Sequence, residues 1–308
     1  MKLLSIAGFT NLGYLLHRRG FEPIVEDLSG QTVVITGGTG GLGRAAAQRI
    51  ASLGARTVIV GRSPEKLDRV TKELDGEVVG HEADLSLMSD IRDLAKQLLD
   101  SEKRIDVLIN NVGVLLPERE VTSEGIEKTL AVDLAGHFLL TNLLIERLVD
   151  SAPSRIINIT SGGMYSERIR PGDLQFERGE YKGAAAYARA KRGQVILTGM
   201  WAERLRSTGV TVHAMHPGWA KTAGVAESLP TFNKLMGPLL RDPDQGADTI
   251  VWLASAVEPA GTSGLLWFDR SPVDEHLVER TKETSKDREA LWRGLVEITG
   301  SDFPEVIG

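Results

Sequence analysis

Residues 32–49 read TVVITGGTGGLGRAAAQR. A short β-branched run (Val33, Val34, Ile35) predicts a buried strand. A glycine cluster follows, and then a helical period with Leu42, Ala45, Ala46, Ile50 and Leu53 on one face. Gly54 stands where a helix C-terminal cap belongs. Strand, glycine turn and helix together make a phosphate cradle. Free backbone N–H groups at the helix start point at an anion, and the helix dipole favours negative charge there. The glycines let the backbone approach a pyrophosphate without a Cβ clash.

Outward from this stretch, the chain of 308 residues carries a formal charge of −6 and is 42% hydrophobic, the composition of a globular protein. Mild acidity without a basic stripe argues against a nucleic-acid partner. With no cysteine there is no disulfide framework, thiolate nucleophile or thiolate metal site. No metal is expected. No uninterrupted run of 18 apolar residues occurs, which predicts no spanning helix, and Met1 to Thr10 lack the features of a signal peptide. A cytoplasmic protein is the expectation.

Residues 1–29 form an N-terminal extension. Leu3, Leu4, Ile6, Leu12, Leu15 and Leu16 fit a short helix or two, followed by His17, Arg18 and Arg19. The segment either docks on the body or touches a membrane surface weakly; three basic groups are a small attraction, which favours docking. From Thr32 onward, strands expected at 55–60, 77–81, 105–109, 155–160, 210–214 and 265–268 alternate with helices. The helices are expected from Ser63, at 88–99, 123–149 and 184–206, and around 245–254. Alternation with near-continuous apolar strands predicts an α/β fold, a doubly wound parallel sheet of the Rossmann type. Residues 30–269 form that single domain, and 270–308 a charged, peripheral C-terminal tail with a helix near 291–298.

In such folds an acid about twenty residues past the glycines binds the ribose of NAD, whereas an arginine suits the 2′-phosphate of NADP. The second strand here ends in Gly61, Arg62 and Ser63 with no acid, so Arg62 and Ser63 predict NADP (NADPH). Asp84 and Leu85 follow the third strand, and Asn110, Asn111, Val112 and Gly113 the fourth, both at strand ends where ligands bind. Tyr187 and Lys191 are four apart on a helix and share a face. A lysine cation beside a phenol lowers its pKa, making Tyr187 a candidate proton donor or acceptor. His216 lacks partners at ligand spacing and reads as structural.

The glycine spacing (Gly37, Gly41, Gly43, with Thr39 between), the Asn110-Asn111-Val112-Gly113 turn and the Tyr187/Lys191 pair resemble the short-chain dehydrogenase/reductase family. The resemblance spans about residues 29–269. The stretches 161–164, 173–175, 216–220 and 245–249 resemble its dehydrogenase/reductase member-twelve group, in the retinol-dehydrogenase-like branch. It implies an NADP-dependent oxidoreductase that moves a hydride between cofactor and a carbonyl or secondary alcohol. Tyr187 serves as acid and base, Lys191 tunes it and holds the ribose, and Ser161 holds the substrate oxygen. It also implies that Gly37, Thr39, Gly41, Leu42, Gly43, Asp84, Leu85, Asn110, Asn111 and Gly113 contact the cofactor, with Pro217, Gly218 and Thr222 beside the nicotinamide. The interval from Ser161 to Tyr187 is long for the family. Asp133 stands where the family has a catalytic asparagine. Leu229, Phe232, Leu235 and Met236 read as a lid over an apolar substrate, or as ordinary core. A homodimer or tetramer is implied through the long helices. The alternatives are a non-catalytic NADP-binding sensor or scaffold, and a sugar-nucleotide epimerase, which the glycine spacing and the short C-terminal part disfavour.

Overall fold

The sheet grows outward from β1 (Thr32–Thr36), which is buried at every position, as a strand covered on both faces must be. The computed structural model describes residues 6–221 and 236–305. β1 pairs in parallel with β2 (Arg56–Gly61) on one side and β4 (Val107–Asn110) on the other. β3 (Val78–Glu82) lies beyond β2. Beyond β4 come β5 (Ser154–Ile159), β6 (Val210–Met215) and β7 (Leu265–Phe268), all parallel. The order is 3-2-1-4-5-6-7-8, so successive crossovers run in opposite directions from β1. That leaves a crevice at the carboxyl ends of β1 and β4, where open sheets of this type bind ligands.

Helices cover both faces. α1 (Asn11–His17) belongs to the N-terminal segment. α2 (Gly41–Ser52) and α3 (Pro64–Glu73) bury Ala46, Ile50, Leu67 and Val70 on one side. α4 (Met88–Ser101) buries Ile91 and Leu94 on the other. Ser63 caps α3, its Oγ accepting from Lys66 N at 3.3 Å, with Pro64 in the first turn.

The long helix expected over 123–149 starts later and is not uniform. Gly125 takes φ +80, and the chain folds back so that Val121 bridges Glu127. The Glu127 carboxylate then caps the N–H groups of Thr129 and Leu130 at 3.0 and 2.6 Å. α5 (Lys128–Leu130) leads into a π-helical turn (Ala131–Ala135) and then α6 (Gly136–Asp150). The expectation that no helix could span a membrane also needs correction. Lys128–Asp150 is long and apolar enough by length and composition, although 89% of its most apolar window is buried in this fold. Counting uninterrupted runs missed it because Asp133, His137, Thr141 and Asn142 punctuate an otherwise apolar helix.

α7 (Gly183–Arg204) and α8 (Pro243–Ser255) complete the layers. β8 (Ser271–Val273) was not anticipated. It pairs antiparallel with β7 through a two-residue turn, Asp269 and Arg270, at φ +48 and +57. Asp269 tolerates this left-handed conformation, but Arg270 is not a turn residue. The turn is held instead by tertiary ion pairs: Asp269 with buried Arg241 at 2.5 Å, and Arg270 with Asp248 at 2.8 Å.

Both chain extensions are part of the packed body. Arg241 also donates to Gly8 O and Thr10 O at 2.8 and 3.2 Å. Phe9 packs against His216, Trp219 and Phe268. The N-terminal segment is thus docked, leaving Leu12, Leu15 and Leu16 exposed. α9 (Ser285–Thr299) corrects the expectation of a solvated tail: Leu291, Trp292 and Leu295 join the same core cluster as α4, α6 and α7, and Trp292 meets Phe138 edge-on at 4.9 Å.

Because Leu291 is wholly buried, Leu291→Ala is expected to cost about 2–5 kcal/mol. The readout is a lower urea midpoint at unchanged slope. A change under about 0.5 kcal/mol, typical of surface positions, would show that α9 does not carry core.

Candidate active site

The glycine turn between β1 and α2 is clamped from β4. Asn111 Nδ2 donates to Thr36 O at 2.7 Å, and Thr36 Oγ1 accepts from the N–H groups of Asn111 and Val112 at 2.9 and 3.1 Å. Gly37 and Gly41 take φ +70 and +52, which favours glycine. A Cβ on Gly37 would come within 3.0 Å of Asn111 Nδ2, and one on Gly38 within 2.7 Å of Ile59. Around Gly40 there is open space. Gly40 caps α2 without a side chain, so the first N–H groups, Leu42 and Gly43 included, remain for an outside acceptor. The cradle fits a pyrophosphate, because its wall of backbone is closed where glycine is required and open where a ligand would lie.

Thr39 sits beside Gly61, its Cγ2 2.8 Å from where a Cβ there would be. Arg62 follows, exposed and without a hydrogen bond to any described residue. Ser63 is less free, since its hydroxyl donates to Glu65 at 2.9 Å while capping α3. Asp84 is partly buried, accepting from Ser86 N at 2.9 Å, and Leu85 is buried beside it. The Asn110 side chain is already partnered inside the protein. It is completely buried, donating to Thr141 Oγ1 and Asn158 Oδ1, both at 2.9 Å. As the last residue of β4 it points into the sheet's polar ladder, while Asn111 one position later faces the crevice.

Ser161, Tyr187 and Lys191 meet where β5 ends. Ser161 Oγ accepts from Gly163 N at 3.2 Å, and the Ser161 hydroxyl draws the Tyr187 phenol's pKa down. The net direction is upward, however. Burial dominates and the Asp133 carboxylate adds to it. Burial and Asp133 therefore outweigh any acidifying pull on Tyr187. Lys191 Nζ lies 5.5 Å from the phenol ring centre and donates to Ile159 O at 3.1 Å. Lys191 is itself almost fully buried, which depresses its pKa against the pull of Asp133.

Asp133 sits in the π-helical turn with no exposed surface. Its Oδ1 accepts from Val114 N at 2.7 Å. Its Oδ2 makes no hydrogen bond and lies 3.8 Å from Lys191 Nζ. Burial pushes the carboxyl up to about 6, opposed by Lys191. Gly113 completes this corner, since a Cβ there would stand 3.0 Å from Lys191 Nζ and 3.3 Å from Asp133 Oδ1.

Gly218, at φ +72, follows Pro217 on the other side of the crevice, and a Cβ on it would meet Arg241 and the Phe9 carbonyl at 2.8 Å. Thr222 and the expected lid residues Leu229, Phe232 and Leu235 lie outside the described residues. His216 is fully buried and stacked on Phe268 at 4.3 Å, its pKa pushed down to about 3, consistent with a structural role. Sequence reasoning missed Phe9. Its ring stands 3.5 Å from where a Cβ on Gly162 would be, next to Ser161. Nothing in the local pattern of residues 6–10 signals a neighbour 150 positions away.

A family model described as short chain dehydrogenase matches residues 31–231. The human protein named Dehydrogenase/reductase SDR family member 12 is 35% identical over 306 residues, covering 96% of this chain and 95% of the relative. Human Retinol dehydrogenase 13 is 33% identical over 304 residues, covering 93% and 90%. Among solved structures, an uncharacterised protein from Mycobacterium paratuberculosis superposes with a TM-score of 0.75 at 27% identity, covering 91% of this chain and 97% of that one. A protein described as an NAD(P)-dependent gluconate 5-dehydrogenase from Beutenbergia cavernae, with NADP bound at low occupancy, gives 0.65 at 25% identity, covering 78% and 95%. With the glycine cradle, the Asn111 clamp and the Ser161/Tyr187/Lys191 corner in one crevice, this chain belongs to the short-chain dehydrogenase family.

Proposed function

We propose that the protein is an NADP(H)-dependent oxidoreductase acting on an apolar carbonyl or secondary alcohol, with Tyr187 moving the proton. The observation that supports it best is the meeting of Ser161, Tyr187 and Lys191 at the end of β5, one residue shell from the glycine cradle. When bound, the nicotinamide supplies or takes up the hydride. The cradle residues Gly37, Thr39, Gly41, Leu42 and Gly43 would hold its pyrophosphate. Arg62 would meet the 2′-phosphate, Asp84 and Leu85 the adenine side, and Gly113, Lys191, Pro217 and Gly218 the ribose and nicotinamide side. Ser161 Oγ is the donor that steadies a substrate oxygen as charge develops on it. Phe9, Met164 and Tyr165 pack into a buried apolar cluster on the Ser161 side. The relatives named for retinol point to the same substrate character.

The electrostatics favour one direction. A phenol whose pKa is raised by burial and by Asp133 is protonated near neutral pH. That is the state which donates to the oxygen of a carbonyl being reduced. Alcohol oxidation needs the phenolate and therefore alkaline conditions. The competing reading, a non-catalytic NADP sensor, draws on the same feature, because Asp133 weakens the phenolate that oxidation requires.

Tyr187→Phe is expected to retain NADPH binding, followed by cofactor fluorescence, and to lose turnover across a panel of carbonyls and alcohols. Full activity in this variant would remove Tyr187 from the mechanism; no turnover of any substrate by the parent would favour the sensor.

Arg62 tests cofactor choice. Titration should show tighter binding of NADPH than NADH, with Arg62→Ala erasing on the order of tenfold or more of the difference, since a charge-assisted hydrogen bond contributes roughly 1.5–3 kcal/mol. Equal affinities in the parent would refute the assignment.

Asp133→Asn tests the electrostatics through two readouts. Between the ordinary 3.8 and about 6, Asp133 binds a proton in the folded chain but not in the unfolded one. Parent stability should therefore fall as pH rises through that window, by up to about 3 kcal/mol, and then level. The Asn variant should lack this fall. Removing the carboxylate should also lower the Tyr187 pKa, moving the alkaline limb of alcohol oxidation to lower pH. An unmoved limb would mean that Asp133 does not act on Tyr187.

A further inference from the structure

The segment after β8 carries a cluster that the proposed reaction does not use. Glu275, His276 and Glu283 bring one ligand atom each to within 4.8 Å of one another. The hydrogen bonds around His276 fix its tautomer. Thr281 Oγ1 gives its only proton to Val278 O at 2.8 Å. Toward His276 Nδ1, 3.1 Å away, the hydroxyl can therefore only accept, so Nδ1 carries the ring proton. In the neutral imidazole that leaves a lone pair on Nε2. Nε2 lies 3.3 Å from Glu283 Oε2. The Glu283 side chain is only 5% exposed, and this oxygen is buried without a hydrogen-bond partner. Two lone pairs facing each other at that range repel, and a buried carboxylate oxygen without a partner is costly. The arrangement calls for a positive centre between them, either a proton or a metal ion.

We propose that Glu275, His276 and Glu283 form a binding site for a divalent transition-metal cation, with Zn2+ the best match to one imidazole and two carboxylates. Ligands at about 2.0–2.2 Å from a tetrahedral Zn2+ stand roughly 3.3–3.6 Å apart, the spacing His276 and Glu283 already have. Glu275 is partly exposed, and rotation of its side chain brings the third ligand in, leaving the fourth position to water. Thr281 is the outer partner that orients the imidazole. Arg192 and Arg288 also act on Glu275, so the site's two carboxylates do not create a large negative field, and affinity rests on geometry and the imidazole. The role of the metal follows from where the loop is tied. Tyr165 donates to Asp274 O at 2.9 Å, and Arg192 Nη1 donates to Glu275 O at 2.6 Å while its Nη2 donates to Met164 O at 3.1 Å. A metal here fixes the 274–283 loop against the short helix that follows Ser161. It stabilises the substrate-side wall without entering the chemistry.

The test uses untagged full-length protein stripped with EDTA and titrated with Zn2+ by calorimetry, with thermal melts alongside. One equivalent of Zn2+ should bind per chain and raise the melting midpoint. His276→Ala and Glu283→Gln should each weaken binding at least tenfold and abolish that rise. Glu283→Gln keeps the side chain's shape and decides the matter if His276→Ala folds poorly. Absence of saturable Zn2+ binding, or equal affinity in parent and Glu283→Gln, would overturn the site. So would an NMR titration showing the His276 imidazole already protonated at neutral pH, since a proton would then occupy the gap.

Discussion

A buried ammonium constrains the active corner. Lys191 has almost no contact with water, and a charge in that position must be met by oxygen atoms. Two groups meet it: the Ile159 carbonyl at the end of β5, and the Asp133 carboxylate from the π-helical turn. These partners come from two separate elements, so the lysine fixes how α7 lies against the sheet and against the α5–α6 helix. Tyr187 is carried to the mouth of the crevice by the same helix. The π turn inserts one extra residue in the Asp133 turn, a device common at functional sites. It lets Asp133 Oδ1 reach Val114 N while Oδ2 faces the ammonium.

The carboxylate shapes the chemistry as well as the fold. A neutral amide would satisfy Val114 N as an acceptor without adding charge. Asp133 brings a negative charge into a site where burial already disfavours the phenolate. The consequence is a phenol held in its protonated form. Beside Ser161 the fold packs Phe9, Met164 and Tyr165 into one buried apolar cluster.

A second constraint secures the outer wall. Arg241 is fully buried, and its guanidinium is shared between Asp269, the Pro217 carbonyl and the carbonyls of Gly8 and Thr10. It binds the Pro217-Gly218 turn, the β7–β8 turn and the N-terminal segment into one unit. This anchor holds Phe9 beside Gly162, with Trp219 N donating to Phe9 O at 2.8 Å. The extension is thus a packed part of the body.

Much of this was legible in residues alone. The strand–glycine–helix stretch at 32–49, the alternation of strands and helices, and the positions of Ser161, Tyr187 and Lys191 are local signals, carried by short periods and by spacing along one helix. Three kinds of feature were not legible. The π turn at Ala131–Ala135 and the late start of α5 depend on Gly125 and on a cap from Glu127, and a periodic apolar pattern reads through such a change unmarked. The burial of the Asn110 side chain, one residue from a crevice-facing Asn111, is decided by which face of β4 meets the core. The docking of the N-terminal segment, β8 and α9 rests on partners such as Arg241, Asp269, Arg270 and Asp248, which lie far from one another in sequence. Sequence alone determined the elements and the chemical groups, because propensity and period act over a few residues. Tertiary structure alone decided their electrostatic state and their neighbours. Burial and long-range ion pairing set the raised Tyr187 pKa, the Asp133–Lys191 contact and the place of Phe9, and none of these exists until the chain is packed.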